Sequence, residues 1–206
     1  MSSQIIIIDY GMGNINSIKK KLSRLKINAI ISSDPKEIQN SDKIILPGVG
    51  HFQKAMEVLK NHNLIDVLNE EVLVKKKPIL GICLGMQLLA KKSEEGNIEG
   101  LGWINADVVK FKVTDTLKYK VPHTGWNQVM ISKQSSLMKN IPDLSEFYFV
   151  HSYHFQTQDK NIILNETEFE YTFVSAIEKD NVFGVQYHPE KSHDIGEILL
   201  KNFITI

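Results

Sequence analysis

The sequence predicts an α/β fold: an open, mixed and mostly parallel sheet flanked by helices, with antiparallel strands added in the C-terminal half. Three observations lead there. Through residue 92, short apolar or β-branched runs alternate with stretches of helical periodicity, the pattern of a parallel sheet with crossover helices. From Gly100 onward the texture changes to strand-like runs with few helices between them. Between these halves lies Gly81-Ile82-Cys83-Leu84-Gly85, a single reactive side chain flanked by glycines where a strand gives way to a helix. Such a joint presents its central residue at the carboxyl edge of the sheet, where open α/β folds place their sites.

Each element has its own warrant. Residues 4–8 include four consecutive isoleucines, which suits a parallel strand buried on both faces. Asp9-Tyr10-Gly11-Met12-Gly13-Asn14 follows as a glycine-rich turn. Its Gly-x-Gly lacks the third glycine of a dinucleotide loop, and a tight strand–helix turn accounts for it. Residues 16–25 carry Ile18, Leu22 and Leu25 on one helical face, with an Asn available as cap. Strands are predicted at 27–31 and 43–46. The second of these runs into Pro47-Gly48-Val49-Gly50, irregular backbone at a strand end. Helices are predicted over 52–59 and 64–74. A buried strand then leads to Cys83, and a helix is predicted over 86–92, broken by Ser93-Glu94-Glu95-Gly96. Strands are predicted at 106–113, 126–131, 147–151, 168–178 and 182–187, and a closing helix at 196–203.

Composition narrows the class. The 206 residues suffice for one α/β domain with a full core, and with no repeat or linker in sight the expectation is a single domain over 1–206. A formal net charge of +0, from 24 basic and 24 acidic residues, disfavours a nucleic-acid binder. The lysine runs at 19–21 and 75–77 read as solvated helix ends and faces. A lone cysteine makes no internal disulfide, so a cytosolic setting is expected. No apolar stretch approaches the roughly 20 residues of a membrane span. Met1-Ser2-Ser3-Gln4 carries no basic residue, so no signal peptide is expected.

The chemistry lies in two segments. Glycines at 81 and 85 permit a turn too sharp for side chains at those positions. They leave Cys83 over a helix N-terminus, where unpaired N–H groups favour thiolate over thiol. A free cysteine in an apolar run is otherwise a small buried hydrophobe. The second segment is Val185-Gln186-Tyr187-His188-Pro189-Glu190. Proline keeps His188 extended, so His188 and Glu190 point to one side of the chain. The carboxylate can then hold one imidazole nitrogen while the other faces a nucleophile, the logic of a triad with Cys in place of Ser.

The blocks Gly81-Ile82-Cys83-Leu84-Gly85-Met86-Gln87 and His188-Pro189-Glu190 resemble the signatures of class I glutamine amidotransferases. Further blocks resemble the glutaminase subunits of imidazole glycerol phosphate synthase. They are Leu46-Pro47-Gly48-Val49-Gly50-His51-Phe52, Val121-Pro122-His123-Thr124-Gly125-Trp126-Asn127, Tyr148-Phe149-Val150-His151-Ser152-Tyr153 and Gly184-Val185-Gln186-Tyr187-His188-Pro189-Glu190-Lys191-Ser192. The resemblance implies that Cys83 attacks the side-chain amide of glutamine, that His188 moves the proton to the leaving ammonia, and that Glu190 holds the imidazole. It places oxyanion donors on the backbone of Leu84 and of Val49 or its neighbour Gly50. Gly48, Gln87, Glu95, Ser152 and Tyr153 match glutamine-binding positions, and Asn14, Trp126 and Lys191 match positions at a partner interface. For Trp126 a half-buried core position is the alternative.

Ammonia in water is mostly ammonium, without a lone pair, so a docked partner and a tunnel are expected. The resemblance makes that partner a (β/α)8 cyclase forming imidazole glycerol phosphate and the aminoimidazole ribonucleotide of purine synthesis. It implies a heterodimer of the cytoplasm, with no cofactor, metal, nucleic acid or membrane. Lys191-Ser192 is followed by His193-Asp194-Ile195-Gly196, where smaller residues are expected in a histidine-pathway subunit. Glutaminases that feed surface-sugar amidation are therefore an alternative. A self-sufficient Cys-His γ-glutamyl hydrolase is another, and a flavodoxin-like phosphate-binding module a third that leaves Cys83, His188 and Glu190 without a role.

Overall fold

A computed structural model describes residues 4–206; Met1, Ser2 and Ser3, part of the segment considered for a signal peptide, lie outside the described residues. The first half is a parallel sheet. Strands β1 (Ile5–Ile8), β2 (Ala29–Ser32), β3 (Lys43–Gly48), β4 (Ile79–Cys83) and β13 (Val182–Val185) lie side by side in the order β2-β1-β3-β4-β13. All four pairings are parallel. The isoleucines of β1 show why a continuous apolar run is needed. Ile5 and Ile7 pack with Ile18 and Leu22 of helix α1 (Ile15–Arg24) and with Leu199, Leu200 and Phe203 of helix α6 (His193–Thr205). Ile6 and Ile8 pack on the opposite face with Phe52, Met56 and Leu59 of helix α3 (Phe52–Asn61) and Leu64 and Leu68 of helix α4 (Leu64–Asn69).

Beyond β13 the sheet turns antiparallel, through β12 (Tyr171–Lys179), β10 (Tyr153–Gln156) and β7 (Ile104–Lys110). β5 (Ala90–Ser93) then lies parallel to β7, and β6 (Ile98–Glu99) antiparallel to β5. A side branch adds β11 (Ile163–Phe169), β8 (His123–Ile131) and β9 (Ser145–His151).

Several expectations change. The helix predicted over 86–92 is a single turn, α5 (Leu84–Gln87), followed directly by β5. Backbone pairing explains this: Leu101 N–H donates to Leu88 O, Ile104 N–H to Leu89 O and Gly102 N–H to Ala90 O. Those long-range bonds outweigh the local helix preference of Leu88 and Leu89. The strand predicted over 168–178 is a hairpin, turning at Glu170 with φ +58°. The helix predicted over 64–74 is α4 continued by a π-helical turn, Glu70–Val74. Helix α2 (Pro35–Asn40), capped by the Asp34 carboxylate, and the short strands β5, β6 and β10 had no counterpart in the periodicity. The Asn that precedes α1 is Asn14; its side chain makes no capping bond, and its carbonyl accepts from Ser17 and Ile18 N–H.

Candidate active site

The site lies at the carboxyl edge of the parallel strands. β4 ends at Cys83, with φ +54° and ψ −111°, a combination rarely adopted by a residue with a side chain. Both flanking glycines are required. A Cβ on Gly81 would lie 2.7 Å from Gly85 O, and one on Gly85 would run into the carbonyl of Leu46 on β3. Gly48 is fixed in the same way, since a Cβ there would come within 2.7 Å of the Tyr10 hydroxyl and 2.8 Å of Leu84 Cβ. Gly48 is buried, and its lack of a side chain lets the β3 end pack against the elbow.

A cleft of about 270 Å³ opens over Cys83. Its walls bring together Val49, Gly50, Leu84, Gln87, Glu95, Ser152, Tyr153 and His188, residues from five separate stretches of chain. The Glu95 carboxylate also accepts a 2.7 Å bond from Phe52 N–H, anchoring the start of α3 and the end of the Val49-Gly50 segment. Tyr10 anchors the other end, donating its hydroxyl to Pro47 O at 2.8 Å. Between these anchors Val49 is 40% exposed, and Gly50 has φ +107°.

His188 and Glu190 are both buried beside Cys83. His188 Nδ1 donates to Glu190 Oε1 at 2.8 Å, which leaves Nε2 bare; it is buried without a hydrogen-bond partner. Burial disfavours the imidazolium, but the acidic neighbours Cys83 and Glu190 outweigh it and raise the His188 pKa to about 10. Cys83 is the first of the groups that raise it, although Nε2 and the sulfur do not reach hydrogen-bonding geometry. The sulfur instead lies 3.9 Å from Val150 O and 3.6 Å from Gln186 Nε2.

Behind the cleft runs a polar chain that sequence reasoning missed. Asn127 Nδ2 lies 3.2 Å from His123 Nε2, His123 Nδ1 lies 3.1 Å from His151 Nε2, and His151 Nδ1 lies 2.8 Å from Tyr153 O. A carbonyl only accepts, so His151 carries its proton on Nδ1, and each ring accepts at Nε2 from the group before it. Both rings are thereby neutral. Burial accordingly lowers His123 to about 4 and holds His151 well below its usual value. His123 and His151 lie inside the motif blocks, but nothing local signalled that their rings would meet edge-on and share a hydrogen bond. Gln186 likewise lies inside a motif block, but its partners Gln87 and Cys83 are distant in sequence.

Trp126 and Lys191 meet at the surface around Tyr148. Trp126 is 45% exposed, stacked on His193 at 4.8 Å with 9° between the ring planes, and Lys191 Nζ sits 5.3 Å over the Tyr148 ring. This exposure excludes the core reading of Trp126. Asn14 is half-buried on the β1–α1 turn.

The family model for glutamine amidotransferase class-I matches residues 6–206. The chain belongs to this family. Among curated relatives, "Imidazole glycerol phosphate synthase subunit HisH 2" of Methanococcus maripaludis is 53% identical, over 97% of this chain and 98% of the relative. A protein of the same name from Pseudomonas aeruginosa is 46% identical, over 98% of this chain and 99% of its own length. A Pelagibacter ubique protein named as subunit HisH is 41% identical, over 98% and 99%. Among solved structures, a glutamine amidotransferase of Thermotoga maritima superposes with TM-score 0.65 at 19% identity, over 100% of this chain and 82% of its own. PurLQS of the same organism gives 0.70 at 15%, over 100% and 99%. At those identities the structural matches speak for the amidotransferase fold. Among the described residues, no helix is long and apolar enough to cross a membrane.

Proposed function

We infer that this chain is the glutaminase subunit of an imidazole glycerol phosphate synthase, a single amidotransferase domain of the cytoplasm that feeds ammonia to a (β/α)8 cyclase. The observation that carries this is the meeting of Cys83, His188 and Glu190 at one small cleft, in a chain 53% identical to a curated subunit of that synthase. Cys83 attacks the glutamine amide carbon. His188, held protonated by its acidic neighbours, gives its proton to the leaving ammonia, and water then releases glutamate from the thioester. The N–H of Leu84, and that of Val49 or Gly50, stabilise the oxyanion. The Glu95 carboxylate takes the substrate ammonium, with Ser152, Tyr153 and Gln87 around it. Asn14, Trp126 and Lys191 mark the docking face. The comparisons lend no support to the surface-sugar or self-sufficient hydrolase readings.

A glutaminase coupled to an acceptor should be slow on its own. Because Val49-Gly50 is anchored only at its ends, its peptide groups are free to hold a donor away from the oxyanion. A missing donor costs about 10²–10³ in rate. Glutamate release is to be measured for the isolated chain, with the cyclase, and with cyclase plus its nucleotide acceptor. The rate should rise on the order of a hundredfold in the last condition. Similar rates in all three would favour the self-sufficient hydrolase instead.

A further inference from the structure

Gln186 has no place in the mechanism above, yet its side chain is fully buried against the nucleophile. The register of the parallel pair explains its position: Val185 lies opposite Ile82, so the next residue of each chain, Gln186 and Cys83, arrive together. The backbone N–H of Gln186 is satisfied by Ser175 O. That leaves the side-chain amide as a separate buried polar group needing its own partners.

The orientation of that amide follows from its surroundings. Gln87 Nε2 lies 2.9 Å from Tyr153 O and 2.9 Å from Gln186 Oε1. A backbone carbonyl only accepts, so the Gln87 atom facing it is the NH₂, and both its hydrogens are spent on these two contacts. Gln186 must then turn its oxygen toward Gln87 and its NH₂ toward Cys83, where Nε2 lies 3.6 Å from Sγ. A thiol is a weak acceptor, whereas an ionised sulfur forms a stronger, charge-assisted bond. A buried N–H fixed in this direction therefore favours the anionic nucleophile. The single-turn helix α5 supplies little of the dipole that the elbow suggested.

We infer that Gln186 is a catalytic residue of this reaction, its amide N–H aimed at the Cys83 sulfur by Gln87 and stabilising the negative charge carried there before attack. Gln87 is in this respect a positioning residue, whatever it also does for substrate. The inference rests on the reading of Cys83 as the nucleophile. No bond is made or broken by Gln186, and its protons stay in place throughout.

The test uses the full chain and Gln186→Met, which fills the same space without an N–H. The rate of Cys83 alkylation by iodoacetamide is measured across pH. Glutamate release is measured in the complex with cyclase and acceptor. The midpoint of the alkylation profile should move up by about one unit or more, as loss of a hydrogen bond to a charged group requires. The turnover number should fall about tenfold or more, with KM for glutamine changed less than about twofold. Gln87→Met keeps Gln186 but removes its orienting donor, and should move the midpoint in the same direction. A Gln186→Met profile that superimposes on the parent would overturn the proposal. Should that variant fail to fold, an unmoved midpoint in Gln87→Met would do the same. Failure of the parent itself to alkylate at Cys83 would instead remove the nucleophile assignment on which the proposal stands.

Discussion

Cys83 occupies backbone that most residues avoid, and the structure maintains it by leaving no room for Cβ atoms at Gly81 and Gly85. The sulfur is thereby presented to His188, whose free Nε2 is one end of a ring tied to Glu190 at the other. Desolvation alone would lower the His188 pKa, and Cys83 and Glu190 raise it to about 10. A raised value means that the protonated ring persists below that pH and is lost as pH rises through it. Activity that depends on proton delivery to ammonia should accordingly show an alkaline limb near pH 10 in kcat/KM. Glu190→Gln removes one of the causes of the raised value, so that limb should move toward neutral pH, with KM for glutamine little changed. A large rise in KM at constant kcat would place Glu190 in substrate binding instead. These three residues were legible in the sequence because each signal is local: two glycines around a cysteine, and a carboxylate two residues after a histidine in extended chain. Gln186 and His151 were not, because their partners come from strands far away in sequence.

Among the elements, the parallel half was legible because strands buried on both faces write themselves as unbroken apolar runs, as in β1 and β4. The short strands β5, β6 and β10 carry too few residues for a pattern. The Met86-Gln87-Leu88-Leu89-Ala90 stretch looked helical because its tertiary partners at 101–104 were invisible. The β3–α3 connection is the element with the most functional consequence. Tyr10 and Glu95 secure its two ends, and the segment between them holds Gly50 at φ +107°. Proline is confined near φ −65° and has no N–H. Gly50→Pro should therefore depress the partner-stimulated glutaminase rate far more than the basal rate, as read by glutamate release with and without cyclase and acceptor. A proportional fall in both would mean that the segment serves catalysis without gating it.

On the scale of the molecule, the antiparallel half supports the cleft from behind with buried aromatic rings and three histidines. Phe111 lies 4.6 Å from His154 and 5.2 Å from His151, and His123 lies 4.4 Å from Phe169. Burial is the first cause of the lowered pKa at all three histidines. The sign follows by linkage. The unfolded chain takes up protons near the ordinary value of 6.5, while folded His123 resists until about 4. Stability is therefore retained above pH 6.5 and falls steadily toward pH 4. Thermal unfolding followed across that window should show the decline, and His123→Phe, which keeps an aromatic ring without the titration, should flatten it. Equal slopes in both proteins would assign acid sensitivity to other groups. Trp126, Lys191 and His193 gather around Tyr148 at the surface, the patch proposed above for docking. On the proposed reading the reaction is divided between two chains, and Cys83→Ala separates their contributions. Cys83→Ala, assembled with the cyclase, should lose synthesis of imidazole glycerol phosphate from glutamine while retaining synthesis from added ammonium salts, because the second active site lies on the other chain. Equal loss of both activities would show Cys83 to be structural and the two chains not to divide the reaction in this way.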